Sequence, residues 1–217
     1  MRAAATATDG PVRLAPCSTI RQVHKDTVLA SAFCHRLARI VEAPFSTWHW
    51  DHEADAPLAA PIERHRDGRR AFFDVGTPWS ASFVSWCIRR AGASASDFRF
   101  SPQHWVFVHW TIRDTQKGND RVHGFPVDQP TPEIGDLIQN NRNGDRFDFA
   151  HATASGDCTS HSAILIETGR DAGGASALTI GGSESHSVSR RRVRLDAKGW
   201  IVERSGDPYI SVVKALM

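Results

Sequence analysis

The chain has 217 residues, of which 41% are hydrophobic and 23% are charged, and its formal net charge is +2. These values are typical of one globular domain of ordinary size, and the four cysteines are too few for a disulfide scaffold. The small net charge argues against nucleic-acid binding by the molecule as a whole. We predict a flexible arm over residues 1–17 and a single domain over residues 18–217.

The N-terminal residues contain no apolar run long enough for the core of a signal peptide. No segment approaches the roughly 18 apolar residues that a membrane-spanning helix needs. We therefore expect a protein without a membrane span that is made in the cytoplasm. Any export would use a route without a classical signal.

Apolar residues recur at helical intervals from Ser18 to about Val41 and predict the first helix. Pro44 should end this helix, because proline lacks the backbone donor that a helix interior needs. Few periodic signals follow over Phe45–Val75. We expect a long ordered loop there, carrying one short helix.

The segment TPWSASFVSWCIRRAG predicts the second helix. Thr77 suits the N-cap, Pro78 the first helical position and Gly92 the stop. The predicted buried face consists of Phe83, Val84, Cys87, Ile88 and Ala91. A third helix is predicted over Pro102–Asp114.

Short β-branched segments separated by Gly or Asp predict strands in the second half of the chain. They are Glu133–Gln139, His161–Thr168, Ser176–Gly182, His186–Leu195 and Tyr209–Leu216. Helices followed by strands favour an α+β fold with an antiparallel sheet. The segment SRRRVRL would place Arg190, Arg192 and Arg194 on one face of its strand, either as a solvated edge or as a surface for an anionic partner.

Ser80 is the candidate nucleophile, because it falls in the first turn of the second helix. Backbone N–H groups are unpaired there, and the helix dipole amounts to about half a positive charge. Such a place stabilises an oxyanion, but a serine also needs an adjacent base. The alternative interpretation is a small polar residue that satisfies free N–H groups.

The motif order PWSASFVSWCIRRAG, PQHW, PEIGDLI, SHSAILIE and LTIGGSESHSV resembles the papain-like cell-wall hydrolases of the CHAP and NlpC type. It is most similar to a bacterial branch with Trp-Ser at the nucleophile position. The resemblance covers about Phe72 to Leu195. It implies a papain-like fold, with N-terminal helices packed on a mixed or antiparallel sheet of five to six strands.

The resemblance also implies roles for individual residues. Ser80 stands where relatives have the nucleophilic Cys, and Gly135–Asp136 stands at the Gly-Asp motif. His161 takes the place of the base, and Ser183 takes that of the residue that orients the base, with Glu184 beside it. A Ser in place of the Cys removes thiolate chemistry, and Ser183 is a weak orienting group.

Further residues have weaker signals. Trp79, His104 and Asp136 are predicted to bind substrate, although His104 could equally be a core or surface residue and Asp136 a turn cap. His186 is an alternative base, and Cys158 an alternative nucleophile that lacks a helix N-terminus behind it. No metal-ligand spacing is present, and we predict neither a metal nor a cofactor.

The function that the resemblance implies is a peptidoglycan hydrolase, an amidase or endopeptidase with a Ser-His site. The alternatives are a catalytically silent papain-like binding module, or an esterase or acyltransferase on the same scaffold. A wall hydrolase without a signal peptide suggests an antibacterial effector that a type VI secretion system delivers to the target-cell periplasm. Its expected partners are peptidoglycan fragments and an immunity protein.

Overall fold

The computed structural model describes residues 31–51, 78–119, 121–155 and 157–215. The predicted arm over residues 1–17 and the beginning of the predicted first helix lie outside the described residues. The same holds for most of the predicted loop over Phe45–Val75 and for the predicted cap Thr77.

Helix α1 spans Ala32–Trp48, and its N-cap Ser31 accepts a hydrogen bond from the Cys34 N–H. The prediction that Pro44 ends this helix is wrong, because Pro44 lies inside it. Pro44 is buried, and Phe45 and Trp48 beyond it pack against the core. This packing offsets the loss of one helical hydrogen bond, so α1 continues to Trp48, beyond its predicted end.

Helix α2 spans Ser80–Arg90, two residues later than the sequence predicts. Its N-cap is Trp79, whose carbonyl accepts the first helical hydrogen bond from Phe83 N at 3.0 Å. Ser80 is therefore the first helical residue rather than the third. The helix stops at Gly92, which has a φ of +109°, as predicted. All five residues of the predicted apolar face are buried.

Helix α3 spans His104–Gln116, and a short helix α4 spans Phe149–Ala154. The sequence predicted α3 within two residues at each end but missed α4. None of the helices in the described ranges is long and apolar enough to cross a bilayer.

Six strands form one antiparallel sheet in the order β1-β6-β2-β3-β4-β5. The strands are β1 Val122–Phe125, β2 Leu137–Asn141, β3 Ser160–Asp171, β4 Gly174–Glu184, β5 Ser187–Arg194 and β6 Tyr209–Ala215. The structure is thus α+β with an antiparallel sheet. Strand β1 was not predicted because it has only four residues and one of them is Gly124, which is unfavourable in a strand pattern. The structure explains this glycine, because a Cβ there would lie only 2.6 Å from Ile112 Cγ1.

The main core lies between the helices and one face of the sheet, and a smaller apolar cluster covers the other face. Strand β5 is an edge strand, and its arginines are exposed. Arg192 pairs with Asp171, and Arg190 lies 3.4 Å from Glu42. These positions agree with the solvated-edge interpretation of the arginine run.

Candidate functional site

The first residues of two helices meet at the centre of the candidate site. Ser80 begins α2 and His104 begins α3, and Ser80 Oγ lies 2.7 Å from His104 Nε2. Both residues are buried, with 1% of Ser80 and 6% of His104 exposed. The distance is that of a well-formed hydrogen bond. A hydroxyl and an imidazole are therefore paired at a helix N-terminus.

The sequence predicts a pair of Ser80 and His161, and the structure places the hydrogen bond of Ser80 on His104. In the described part of the chain, the Ser80 side chain forms one hydrogen bond, and its partner is His104. His161 is the second residue of β3, and its ring centroid lies 5.3 Å from that of His104 at an interplanar angle of 61°. The beginning of α3 thus brings His104 into contact with both the predicted nucleophile and the predicted base.

His104 is a neutral imidazole at pH 7. Burial, the neighbouring His161 and the positive charge of Arg142 lower the pKa of His104 well below its ordinary value. Nε2 can therefore accept the proton of Ser80 when Nδ1 carries the ring proton. Nδ1 has no hydrogen-bond partner among the described residues. A third group that holds the imidazole, as an Asp does in a serine-protease triad, is not present in those residues.

The N-terminus of α2 adds hydrogen-bond donors to the site. The first helical bond starts at Phe83 N, and no side chain caps the helix. The N–H groups of Ser80, Ala81 and Ser82 consequently have no helical acceptor. These three residues line a groove of about 720 Å³ together with His104. Free amides and the helix dipole at one end of a groove can bind an oxyanion.

Ser183 and His161 lie at the same end of neighbouring strands. Ile164 of β3 pairs with Ile180 of β4 in antiparallel register. His161 lies three residues before Ile164, and Ser183 lies three residues after Ile180, so both lie toward the same end of the sheet. Ser183 is 7% exposed and has a φ of +56°. Its carbonyl accepts a hydrogen bond from Arg142 Nη2 at 2.9 Å. The side chain of Glu184 lies outside the described part of the structure.

Two residues predicted to bind substrate lie away from the groove. The Trp79 ring is 1% exposed and packs edge-on against Phe83, with centroids 5.9 Å apart, so it supports α2 from the core side. Asp136 is 2% exposed and accepts hydrogen bonds from Glu133 N at 2.7 Å and Lys214 Nζ at 2.8 Å. Burial raises the pKa of Asp136 to about 6, although Lys214 lowers it.

The structure also places the two alternative site residues. Cys158 lines the groove, but it is 7% exposed, and burial raises the pKa of its thiol. It precedes β3, with no helix N-terminus behind it. His186 is exposed in the turn between β4 and β5. No group of three or more potential metal ligands occurs within residues 31–51, 78–119, 121–155 and 157–215.

Arg142 is the site residue that the sequence did not reveal. It follows the last residue of β2 and lines the groove. The predicted strand over Glu133–Gln139 ends before Arg142. The sequence therefore placed Arg142 in a polar loop among other charged residues. No local signal in that loop separates Arg142 from Arg146.

A family of sequences described as "Uncharacterized protein conserved in bacteria (DUF2272)" matches residues 42–213. The match spans most of the chain and includes every site residue discussed above, and the chain belongs to this family. No curated protein and no solved structure matches the chain.

Proposed function

We propose that this member of the DUF2272 family is a serine hydrolase of papain-like fold that cleaves acyl bonds in the peptides of bacterial peptidoglycan. The observation that carries the hydrolase proposal is the 2.7 Å hydrogen bond between Ser80 Oγ and His104 Nε2 at the N-terminus of α2. The papain-like fold and the wall-peptide substrate rest on the resemblance of the sequence motifs. The six-stranded antiparallel sheet and the helix-borne serine are compatible with both.

In the proposed reaction, His104 Nε2 takes the proton of Ser80 as Oγ attacks the carbonyl carbon of the substrate. The N–H groups at the start of α2 donate to the oxyanion of the tetrahedral intermediate. The His104 imidazolium then protonates the leaving group as the acyl bond breaks. Water, deprotonated by the same nitrogen, attacks the acyl-serine and releases the acid, so that Ser80 regains its proton.

His161 is assigned a positioning role in this scheme. Its ring packs against that of His104, with centroids 5.3 Å apart, and it restricts how the base can rotate. His104 Nδ1 has no partner among the described residues, so the hydrogen bond of Nε2 to Ser80 and the packing against the rings of His161 and Phe107 hold the imidazole in place. The sequence had assigned the base to His161 itself, and the hydrogen bond to Ser80 favours His104.

A second candidate function is a catalytically silent module that binds wall fragments or a protein. The near-complete burial of Ser80, 1% exposed, favours this alternative because a nucleophile must reach its substrate. The hydrogen bond between neutral Ser80 and His104 would then be a structural contact in the protein interior. The esterase or acyltransferase alternative uses the same serine, and only its substrate differs.

The biological setting that we propose is that of an antibacterial effector, delivered by a secretion system to the periplasm of a target cell and neutralised by an immunity protein. The proposal comes from the resemblance to wall hydrolases and not from the fold. Directing the protein to the periplasm of a sensitive bacterium should lyse it. A harmless protein in that compartment would contradict the effector proposal.

The hydrolase proposal is tested by treating purified peptidoglycan sacculi with the wild type and with Ser80→Ala, and by measuring product masses. New peptide termini should appear with the wild type only. Ser85→Ala is the matched control, because Ser85 lies on the same helix and its hydroxyl donates to the Ser101 carbonyl at 2.9 Å. Equal products from Ser80→Ala would remove Ser80 from the mechanism, and ester or glycan products would reassign the substrate bond.

A further inference from the structure

The groove contains a cation that the proposed hydrolysis does not use. Arg142 follows β2, and its backbone N–H donates to the Thr159 carbonyl at 3.1 Å. Its Nη2 donates to the Ser183 carbonyl at 2.9 Å. Because β3 lies between β2 and β4 in the sheet, this side chain crosses the beginning of β3, where His161 lies. The guanidinium is therefore held beside the candidate catalytic residues.

Among the described residues, nothing neutralises the charge of Arg142. No carboxylate in the described part of the chain forms an ion pair with it, and the one hydrogen bond that its side chain makes there goes to the Ser183 carbonyl. Asp157 also lines the groove, but it is exposed and does not pair with Arg142. A guanidinium has five N–H donors, so most of those on Arg142 remain available to a ligand in the groove.

We propose that Arg142 binds a carboxylate of the substrate, so that the site takes acyl substrates with an anionic group close to the bond that is cleaved. The proposal rests on the hydrolase function given above and specifies its substrate class. A planar guanidinium binds a carboxylate through two parallel hydrogen bonds, which supply orientation as well as affinity. The backbone anchor at Ser183 fixes the guanidinium before the ligand arrives.

Substrate binding at Arg142 would also assist the base. The positive charge of Arg142 disfavours the imidazolium of His104 and is one of the causes that lower its pKa. A carboxylate bound to Arg142 offsets this charge, and His104 then takes the proton of Ser80 at a lower free-energy cost. The anionic group is therefore expected to raise kcat as well as to lower KM.

The experiment compares two enzymes on two substrates. The probes are soluble wall peptides released from sacculi, used with free carboxyl groups and after carbodiimide-driven amidation of those groups. Wild type should cleave the carboxylate form about 10- to 100-fold more efficiently in kcat/KM, as the loss of a charged hydrogen bond predicts. Arg142→Gln should cleave both forms at nearly the same low rate.

Arg146→Gln is the matched control. Arg146 lies in the same loop and also donates to a backbone carbonyl, that of Ser205 at 3.3 Å, but it does not line the groove. It should keep the wild-type preference. Arg142→Lys keeps the positive charge but loses the planar guanidinium with its two parallel donors. This variant should retain part of the preference for the carboxylate form. Because the readout is a ratio between two substrates, a small loss of stability in a variant does not imitate the effect.

The outcomes separate this proposal from the hydrolase function. Equal cleavage of both peptide forms by wild type, or a preference that survives in Arg142→Gln, overturns the role of Arg142 and leaves the hydrolase intact. If neither form is cleaved, the hydrolase fails, and calorimetric binding of the two forms to Ser80→Ala decides the question. A carboxylate preference in binding that Arg142→Gln abolishes supports the role of Arg142, and equal binding overturns it.

Discussion

Replacing His104 with Gln should abolish hydrolysis while leaving the fold nearly intact. General-base catalysis contributes about 10²- to 10⁴-fold, so kcat should fall by that factor, equivalent to about 3–5 kcal/mol in the barrier. The stability cost is small by comparison. His104 forms one neutral hydrogen bond in the described structure, worth about 0.5–1.5 kcal/mol, and Gln fills a similar volume. For a chain of this size, such a loss lowers Tm by about 1–6 °C.

The assay is a pair of measurements on each variant: initial rates of peptide release from sacculi, and thermal unfolding followed by circular dichroism. His109→Gln is the matched control, because His109 lies on the same helix and its Nδ1 is 2.9 Å from the Ala152 carbonyl. It should keep its rate while showing a similar Tm change. The reasoning is refuted if His104→Gln keeps most of the activity. If His161→Gln loses all activity while His104→Gln stays active, the base is His161 and not His104.

Three further predictions concern pH and packing. The free energy of unfolding should fall as pH drops from 7 to 5, by up to about 1.4 kcal/mol per pH unit. The cause is that His104 binds a proton near pH 6.5 in the unfolded chain, whereas burial keeps its pKa well below that value in the folded protein. Urea titrations should show a shallower fall in His104→Gln. Lys214→Met should cost about 3–5 kcal/mol in urea unfolding at pH 8, because it leaves the buried carboxylate of Asp136 unpaired. The cost should be smaller at pH 5, where Asp136, with a pKa of about 6, is protonated, and an equal cost at both pH values would contradict the burial argument. Gly182→Ala should lower stability by about 1–3 kcal/mol and reduce activity, because its Cβ would overlap the Trp79 ring and displace the start of α2; an unchanged Tm would contradict this packing.

Local patterns in the sequence predicted most of the elements. The apolar stripe and Gly92 located α2, and five short β-branched runs located five of the six described strands. The prediction failed where tertiary contacts override a local rule. Pro44 stays helical because its side chain is buried, and α2 starts at Ser80 because Trp79 is buried as its N-cap. Neither burial is visible in a local pattern.

The candidate site was predictable in part. The motif order pointed to Ser80, and His104 and His161 were both among the residues that the sequence proposed. Their pairing was not predictable, because Ser80 and His104 are 24 residues apart on different helices. The position of Arg142 depends on the order of three strands, which no spacing in the sequence reveals.

The most direct test of the account is covalent labelling by a fluorophosphonate, which reacts with serines that a base has activated. The account predicts one modified peptide, with the label on Ser80, and labelling at least 100-fold slower in His104→Gln. Ser85→Ala should label at the wild-type rate. A folded wild type whose Ser80 stays unmodified, or equal labelling with and without the His104 imidazole, would contradict the claim that these two side chains form a catalytic pair.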